Sequence, residues 1–266
     1  MATPPSPTTA APMIRVRDLT MAYGSFTVMH DLNFEIAEKD IFVIMGGSGC
    51  GKSTLLRHLV GLREPAKGEV FYHGENFTTT PLDQRGEFIR RFGVMYQSGA
   101  LWSSLTLAEN IAMPLEENTQ LSAKAIQELV SYKLALVGLS GYDDYYPAQI
   151  SGGMNKRAGI ARAMALDPEI LFLDEPGAGL DPLSSRRLDD LILRLRDSLG
   201  STVVIVTHEL ASIFAIANNS IFLDTATRTQ GAIGNPTHLR DHSENPTVRN
   251  FLRRGEAETP ATSPQA

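Results

Sequence analysis

The fold of this 266-residue chain is decided by the stretch Ile41-Phe42-Val43-Ile44-Met45-Gly46-Gly47-Ser48-Gly49-Cys50-Gly51-Lys52-Ser53-Thr54. Its first part, Ile41–Met45, is a continuous apolar run, which is typical of a strand buried on both faces of a parallel sheet. The glycine-rich part matches the pattern Gly-x-x-x-x-Gly-Lys-Ser/Thr and leads directly into a predicted helix, Lys52–Gly61. A strand, a glycine-rich loop and a helix in this order predict a phosphate-binding loop in an α/β protein.

Each residue type in this loop suits an anionic ligand. Glycines let the backbone curl so that amide groups point at phosphates, and the start of the helix adds partial positive charge. Lys52 supplies a point charge, and the hydroxyl of Ser53 is expected to hold Mg²⁺. A glycine-rich turn without a ligand is the alternative, but the register of strand, loop and helix argues against it. The residues expected to contact the nucleotide are Gly46, Gly47, Ser48, Gly49, Cys50, Gly51, Lys52, Ser53 and Thr54.

Cys50 has two interpretations. The start of a helix lowers the pKa of a thiol, which would make the side chain reactive. Alternatively, Cys50 is a small residue tolerated in a tight loop, and we favour this second interpretation.

Outward from the loop, short apolar runs and helical patterns alternate along the chain. We therefore predict an α/β phosphate-loop NTPase with a RecA-like core, a mostly parallel sheet and an antiparallel β portion near the N-terminus. The predicted strands other than Ile41–Met45 are Ile14–Thr20, Leu32–Ile36, Gly68–His73, Phe92–Tyr96, Ile170–Leu173, Thr202–Val206, and a late hairpin of Ile221–Asp224 and Arg228–Ile233. A helix is predicted at Pro182–Leu199, with proline in its first turn and Gly200 just past its end.

The sequence between Gln97 and Ile170 has a different character. Leu105–Leu115 and Ser122–Val137 are helical in pattern, and the stretch from Ser151 to Leu166 is rich in Ala and Arg. This predicts a helical subdomain inserted into the α/β core. The expected division of the chain is a disordered arm (1–12), an ATPase domain (13–240) with its helical subdomain at about 98–165, a C-terminal helical segment (241–254) and a disordered tail (255–266).

Polar residues follow several of the predicted strands. Asp174 ends one strand, where it is expected to meet Mg²⁺, and Glu175 is expected to polarise the attacking water. His208 follows another strand and can bond a γ-phosphate, and Gln97 follows a third, where it can sense Mg²⁺ or water. Tyr23 is a candidate for stacking on a purine, although a core aromatic in a strand fits the pattern equally well.

The composition of the chain argues against some classes of partner and cellular location. A net charge of −6 and a pI of about 5.5 argue against a nucleic-acid partner, which requires a basic face. A single cysteine fits a reducing compartment. No apolar run approaches the roughly 20 residues that span a bilayer, and the first residues lack the features of a signal peptide. The chain is therefore expected to be cytoplasmic and to reach a membrane only through a partner.

Together these motifs resemble the ATP-binding subunits of ABC transporters, from about Ile14 to Leu239. The resemblance rests on the phosphate loop (46–54), Gln97, the signature Ile150-Ser151-Gly152-Gly153-Met154, Asp174-Glu175, Gly179-Leu180-Asp181 and His208. It implies a head-to-tail homodimer that holds two ATP molecules between its protomers, and a membrane permease contacted by Gln97 and the helices after it. Ser151, Gly152 and Gly153 of one chain would contact the γ-phosphate held by Lys52 of the other, and Asp181 would cross the seam. The sequence at Ser151 is consistent with this contact. Ser151 is a plausible N-cap for the helix that follows, and the start of a helix favours an anion.

The signature carries Met154 where the family pattern has Gln, and Ser-Gly-Gly-Met is similar to the ATPases of MCE-type, Mla-like lipid transporters. The segment Asn245–Leu252 also resembles the C-terminal helix of that group, although it also fits a short amphipathic closing helix. This likeness implies phospholipid transport between bacterial membranes that maintains outer-membrane lipid asymmetry. It also implies an MCE-type lipid-binding subunit, a small cytoplasmic accessory subunit and a position on the cytoplasmic face of the inner membrane. An importer for an amino acid or ion stays open, as does a non-transport ABC ATPase, which the acidic balance disfavours.

Overall fold

A computed structural model describes residues 12–97 and 99–254 of the chain. The predicted arm before residue 12 and the predicted tail after residue 254 lie outside these residues. Within the described ranges, no helix combines the length and the apolar composition that crossing a membrane requires.

The strands form two sheets, with Ile41–Gly46 (β3) in the larger one. In chain order they are β1 (Ile14–Tyr23), β2 (Phe26–Ile36), β3 (Ile41–Gly46), β4 (Lys67–Tyr72), β5 (Glu75–Asn76), β6 (Phe92–Met95), β7 (Ile170–Asp174), β8 (Thr202–Val206), β9 (Asn219–Asp224) and β10 (Thr229–Gly234). The six-stranded sheet has the order β10-β9-β3-β8-β7-β6. Its strands pair in parallel except for β10, which forms an antiparallel hairpin with β9. The predicted α/β fold with a mostly parallel sheet is confirmed.

The smaller sheet is antiparallel and has the order β2-β1-β4-β5. The predicted strand Leu32–Ile36 was too short, because β2 begins at Phe26. The pairing of β1 with β2 shifts register at three places, and Asp31 has a positive φ of 52°. These irregularities interrupt the alternation of apolar and polar residues by which a strand is recognised in a sequence.

Nine α-helices connect or cover the strands in the described part of the chain. They are α1 (Lys52–Leu59), α2 (Gly86–Ile89), α3 (Leu107–Asn118), α4 (Ala123–Leu136), α5 (Gly152–Ala163), α6 (Pro182–Leu199), α7 (Leu210–Ile216), α8 (Pro236–His242) and α9 (Pro246–Leu252). Between β6 and β7 the described residues contain helices and no strand, and α3, α4 and α5 pack on one another there. Helix α8 runs across residue 240, where the ATPase domain was expected to end.

Two apolar cores lie on opposite faces of the central sheet. The alternating side chains of β3 show this division, since Val43 packs in the core that includes α3–α6 and Ile44 packs in the core that includes α1 and the antiparallel sheet. The C-terminal helix α9 belongs to the first core, where Val248 is fully buried and Phe251 meets the ring of Phe222 at 5.2 Å. The carboxyl end of β3, with the glycine-rich loop after it, therefore lies at the same edge of the sheet as the carboxyl ends of the parallel strands β6, β7 and β8.

Candidate active site

The phosphate loop is shaped by glycines at strained positions. Gly49 and Gly51 have φ values of 74° and 99°, which residues with a side chain rarely adopt. A Cβ atom placed on Gly46 would lie 2.7 Å from the carbonyl oxygen of Leu223 in β9. The ammonium of Lys52 donates hydrogen bonds to the carbonyl oxygens of Gly46 at 3.1 Å and Gly47 at 3.0 Å. The loop therefore curls around a fixed positive charge.

Most of the predicted site residues line one cleft of about 540 Å³ above this loop. They come from the antiparallel sheet, from the loop and α1, and from the segments that follow β6, β7 and β8. The lining residues are Tyr23, Phe26, Val28, Ser48, Gly49, Gly51, Lys52, Ser53, Thr54, Gln97, Glu175 and His208. Residues far apart in sequence thus meet where the ends of neighbouring parallel strands meet.

Cys50 belongs to the loop, but its side chain does not line the cleft. Its thiol is 1% exposed and lies against Gly46. Burial raises the pKa of the Cys50 thiol, which opposes formation of the reactive thiolate. This geometry favours the interpretation of Cys50 as a small residue packed beneath a tight loop.

Asp174 and Ser53 form an oxygen-rich corner at the end of β7. The hydroxyl of Ser53 donates to Asp174 Oδ1 at 3.1 Å. Burial raises the pKa of Asp174, and the bond from Ser53 opposes this effect. Hydroxyl and carboxylate oxygens are ligands that Mg²⁺ accepts, usually together with water and substrate phosphates. Their two oxygens therefore fit an ion that takes its other ligands from a nucleotide and water.

Glu175 is held firmly, with one oxygen left unpaired. Its backbone has a φ of 49°, and its amide donates to the carbonyl of Val206 at 2.8 Å. Glu175 Oε1 lies 2.8 Å from His208 Nδ1, while Oε2 is buried without a hydrogen-bond partner among the described residues. Because a carboxylate only accepts hydrogen bonds, Nδ1 of His208 carries the hydrogen in this pair. The free oxygen is a candidate acceptor for a nucleophile in the cleft.

Lys156 joins two of these segments and was not identified from the sequence. It lies in α5, is 8% exposed, and its ammonium donates to the backbone carbonyls of Gln97 and of Glu175, the latter at 3.2 Å. No sequence pattern around Lys156 indicates that it contacts these two carbonyls, because the contact depends on how α5 packs.

Aromatic side chains form the outer wall of the cleft. Tyr23 is 41% exposed, its ring is covered on one side by the Arg63 guanidinium at 3.8 Å, and its hydroxyl lies 3.4 Å from Thr54 Oγ1. Phe26 is 57% exposed beside it and was also missed from the sequence. An exposed ring next to a phosphate loop suits the stacking of a flat base.

The remaining predicted residues lie elsewhere. Ser151 caps α5 by accepting from the Met154 amide at 3.3 Å, and Asp181 caps α6 by accepting from the amides of Leu183 and Ser184, each at 3.0 Å. Ser151 and Gly153 line a separate cavity of about 530 Å³ beside α6. The structure therefore does not bring Ser151, Gly152, Gly153 or Asp181 into the cleft of the same chain.

The parallel sheet, the glycine-rich loop and the carboxylates beside it define a phosphate-loop nucleotide-binding protein. The family model described as "ABC transporter" matches residues 29–178. The chain belongs to the ABC transporter family.

Relatives cover most of the chain. It is 36% identical to the intermembrane phospholipid transport system ATP-binding protein MlaF of Escherichia coli, over 91% of this chain and 89% of that protein. It is 38% identical to the probable ribonucleotide transport ATP-binding protein mkl of Mycobacterium tuberculosis, over 90% of this chain but 66% of that protein. A solved dimeric ATP-binding cassette in a post-hydrolysis state with ADP and Pi superimposes with a TM-score of 0.76 and 28% identity, over 84% of this chain and 98% of that one.

Proposed function

We propose that the chain is the ATP-hydrolysing subunit of an ABC transporter, and that it dimerises around two ATP molecules to drive a membrane permease. The observation that carries this proposal is the cleft itself, which Lys52, Ser53 and Glu175 line together and where Asp174 accepts a hydrogen bond from Ser53. A phosphate loop supplies binding, and a nearby carboxylate supplies chemistry on a water molecule.

Each group has a distinct role in this proposal. The loop amides and Lys52 bind the phosphates, and Ser53, Asp174 and Gln97 would hold Mg²⁺, which would supply positive charge that neutralises the phosphates. Glu175 orients the attacking water and accepts its proton through Oε2, while His208 fixes Oε1 by its 2.8 Å bond. A γ-phosphate contact from the other nitrogen of His208 requires that nitrogen to carry a proton as well.

The separation of the signature residues from the cleft supports a head-to-tail homodimer. Ser151, Gly152 and Gly153 form the start of a helix, which favours an anion, yet they lie outside the cleft of their own chain. In a dimer they would reach the nucleotide held by the other protomer, with Asp181 at the seam. The solved cassette to which the chain is similar is dimeric, which supports a dimer of this chain.

The name of one relative supports a phospholipid cargo. MlaF is named for phospholipid transport between membranes, and the alignment covers 89% of it. The transporter would include a permease that holds this chain on the cytoplasmic face of the inner membrane, an MCE-type lipid-binding subunit and a small cytoplasmic accessory subunit.

A ribonucleotide cargo is the second candidate, because the name of the mycobacterial relative refers to ribonucleotide transport. The chain spans 66% of that relative's length, which makes it a weaker guide to the cargo. An importer for an amino acid or ion, or a role outside transport, has no comparable support.

Co-purification tests the cargo and the partners. The Glu175→Gln chain, expected to bind ATP without turning it over, is purified with its membrane partners from detergent extracts, and mass spectrometry identifies bound proteins and lipids. We expect a permease, an MCE-type subunit and phospholipid. A solute-binding protein without an MCE-type subunit would overturn the phospholipid assignment, and recovery of the chain with no membrane protein would contradict a role in transport.

A further inference from the structure

One face of α5 lies against the segment that follows β6. A Cβ atom placed on Gly159 would lie 3.0 Å from the Cα atom of Gly99, so the helix and this segment touch along their backbones. One turn further along, Arg162 donates to the carbonyl of Ala100 at 2.7 Å. Residues of α5 spaced three or four apart thus fasten one segment of the active site to the helical subdomain.

Lys156 extends this contact to the catalytic carboxylate. Its ammonium bonds the carbonyl of Gln97 after β6 and the carbonyl of Glu175 after β7, so that one side chain connects two strand ends. Burial lowers the pKa of Lys156, and the nearby carboxylates of Glu175 and Asp174 oppose this effect. A buried ammonium lowers the stability of a fold unless it is paired. The specific carbonyl partners therefore indicate a role beyond filling space.

The backbone of Glu175 needs such support. A φ of 49° in a residue with a long side chain is unfavourable and persists only where neighbouring groups hold it. The amide of Glu175 is held by Val206 and its carbonyl by Lys156, at 2.8 and 3.2 Å. The backbone conformation of Glu175 sets the direction of its carboxylate. Loss of the hydrogen bond to the Glu175 carbonyl would therefore move the carboxylate.

We propose that Lys156 is a positioning residue, which aligns Glu175 and Gln97 with the start of α5. This inference rests on the proposed function, because it assumes that Glu175 acts on the attacking water. Helix α5 is capped at its start by Ser151, which in the proposed dimer reaches the nucleotide of the other protomer. Lys156 therefore links the start of this helix to Glu175, which acts on the nucleotide held by its own chain. Lys156 is not among the residues that line the cleft.

The Lys156→Met variant tests this role, because it keeps an unbranched apolar side chain and removes the donor. We expect kcat for ATP hydrolysis to fall about 10- to 100-fold, because small misplacements of catalytic groups have effects of this size. The KM for ATP should stay within about twofold, since the phosphate loop is untouched. Both constants are measured on the full chain, and with its membrane subunits where the isolated chain turns over too slowly. Lys156→Leu, which also removes the donor, decides by the same criterion if Lys156→Met does not fold.

Lys133→Met is the matched control. Lys133 is also a buried lysine of the helical region, 1% exposed, but its partner is Asp167 and it contacts neither Gln97 nor Glu175. An equal loss of kcat in Lys133→Met, a parallel loss of ATP affinity, or an unchanged kcat in Lys156→Met would each overturn the positioning role. Glu175→Gln is assayed in parallel. If it turns over like the wild type, the proposed function fails, whereas an inactive Glu175→Gln beside a fully active Lys156→Met contradicts only the role of Lys156.

Discussion

At the scale of single residues, Glu175 combines two unfavourable features. Its backbone adopts a left-handed conformation, and its Oε2 is buried without a partner among the described residues. An unsatisfied buried acceptor costs about 1–3 kcal/mol. Neither feature stabilises the fold, and Glu175 lines a cleft beside a phosphate loop. This combination is typical of a group selected for chemistry rather than for stability.

The Glu175→Gln variant should therefore separate binding from hydrolysis. An amide cannot accept the proton of the attacking water, and we expect kcat to fall about 10²- to 10⁴-fold. ATP affinity should stay near the wild-type value, because the loop that holds the phosphates is unchanged. Glu169→Gln, at the opposite end of the same strand, is the control. Steady-state hydrolysis and equilibrium ATP binding measure the two effects, and wild-type turnover by Glu175→Gln would exclude Glu175 as the base.

Motif spacing predicted those site residues whose role follows from local chemistry. Lys52, Ser53 and Glu175 follow strands in patterns that point to phosphate, metal and water, and the structure brings all three to one corner. Phe26 and Lys156 were missed for a physical reason. Their positions depend on how β2 and α5 approach the loop, and this approach is set by tertiary packing rather than by neighbouring residues in sequence.

At the scale of elements, capping residues made the bounds of one helix visible in the sequence. Helix α6 was predicted with its observed bounds, because Asp181 accepts from two amides at its start, Pro182 follows, and Gly200 closes it in a left-handed conformation. Helices α2 and α7 were not predicted. Both are short, and neither has a side-chain cap bond at its first turn. Their stability comes from packing, which a single sequence does not display.

The contact between α6 and α7 should make stability depend on pH. Asp189 on α6 is 8% exposed and accepts from Ser212 of α7 at 2.9 Å. Burial raises the pKa of Asp189 from 3.8 to about 6. The folded state therefore binds this proton more tightly than the unfolded chain does. The resulting stabilisation is complete below pH 3.8 and is lost as the pH rises through about 6.

Removing this carboxylate should remove its share of the pH dependence. We expect the stability of Asp189→Asn relative to wild type to rise by about 1–3 kcal/mol between pH 4 and pH 7. Denaturant unfolding at several pH values measures the difference. Asp190→Asn, at an exposed position one residue along α6, is the control. If the two variants change in the same way with pH, Asp189 is not the group responsible.

At the scale of the whole molecule, the two groups of residues proposed to form one nucleotide site lie on separate surfaces. The cleft is lined by the phosphate loop and Glu175, while the start of α5 lies beside another cavity. The family resemblance predicted this division, since spacing along a chain cannot show which copy of the chain completes a site. If the proposed dimer is correct, a chain with a defective phosphate loop and a chain with a defective α5 start should together form one intact nucleotide site.

Mixing two defective chains tests this directly. Lys52→Ala removes the charge that binds phosphate, and Gly152→Asp adds a negative charge to the start of α5, at a position with no atom within 4 Å of the new Cβ. Each variant alone should lose ATP-dependent dimerisation. An equimolar mixture should recover up to about a quarter of the wild-type sites, because half of randomly formed dimers are mixed and each mixed dimer has one intact site. Light scattering and ATP binding measure the recovery, and Gly86→Asp, another glycine with open space around it, controls for the added charge. Without recovery in the mixture, or with full dimerisation of Gly152→Asp alone, the site would have to be completed within one chain.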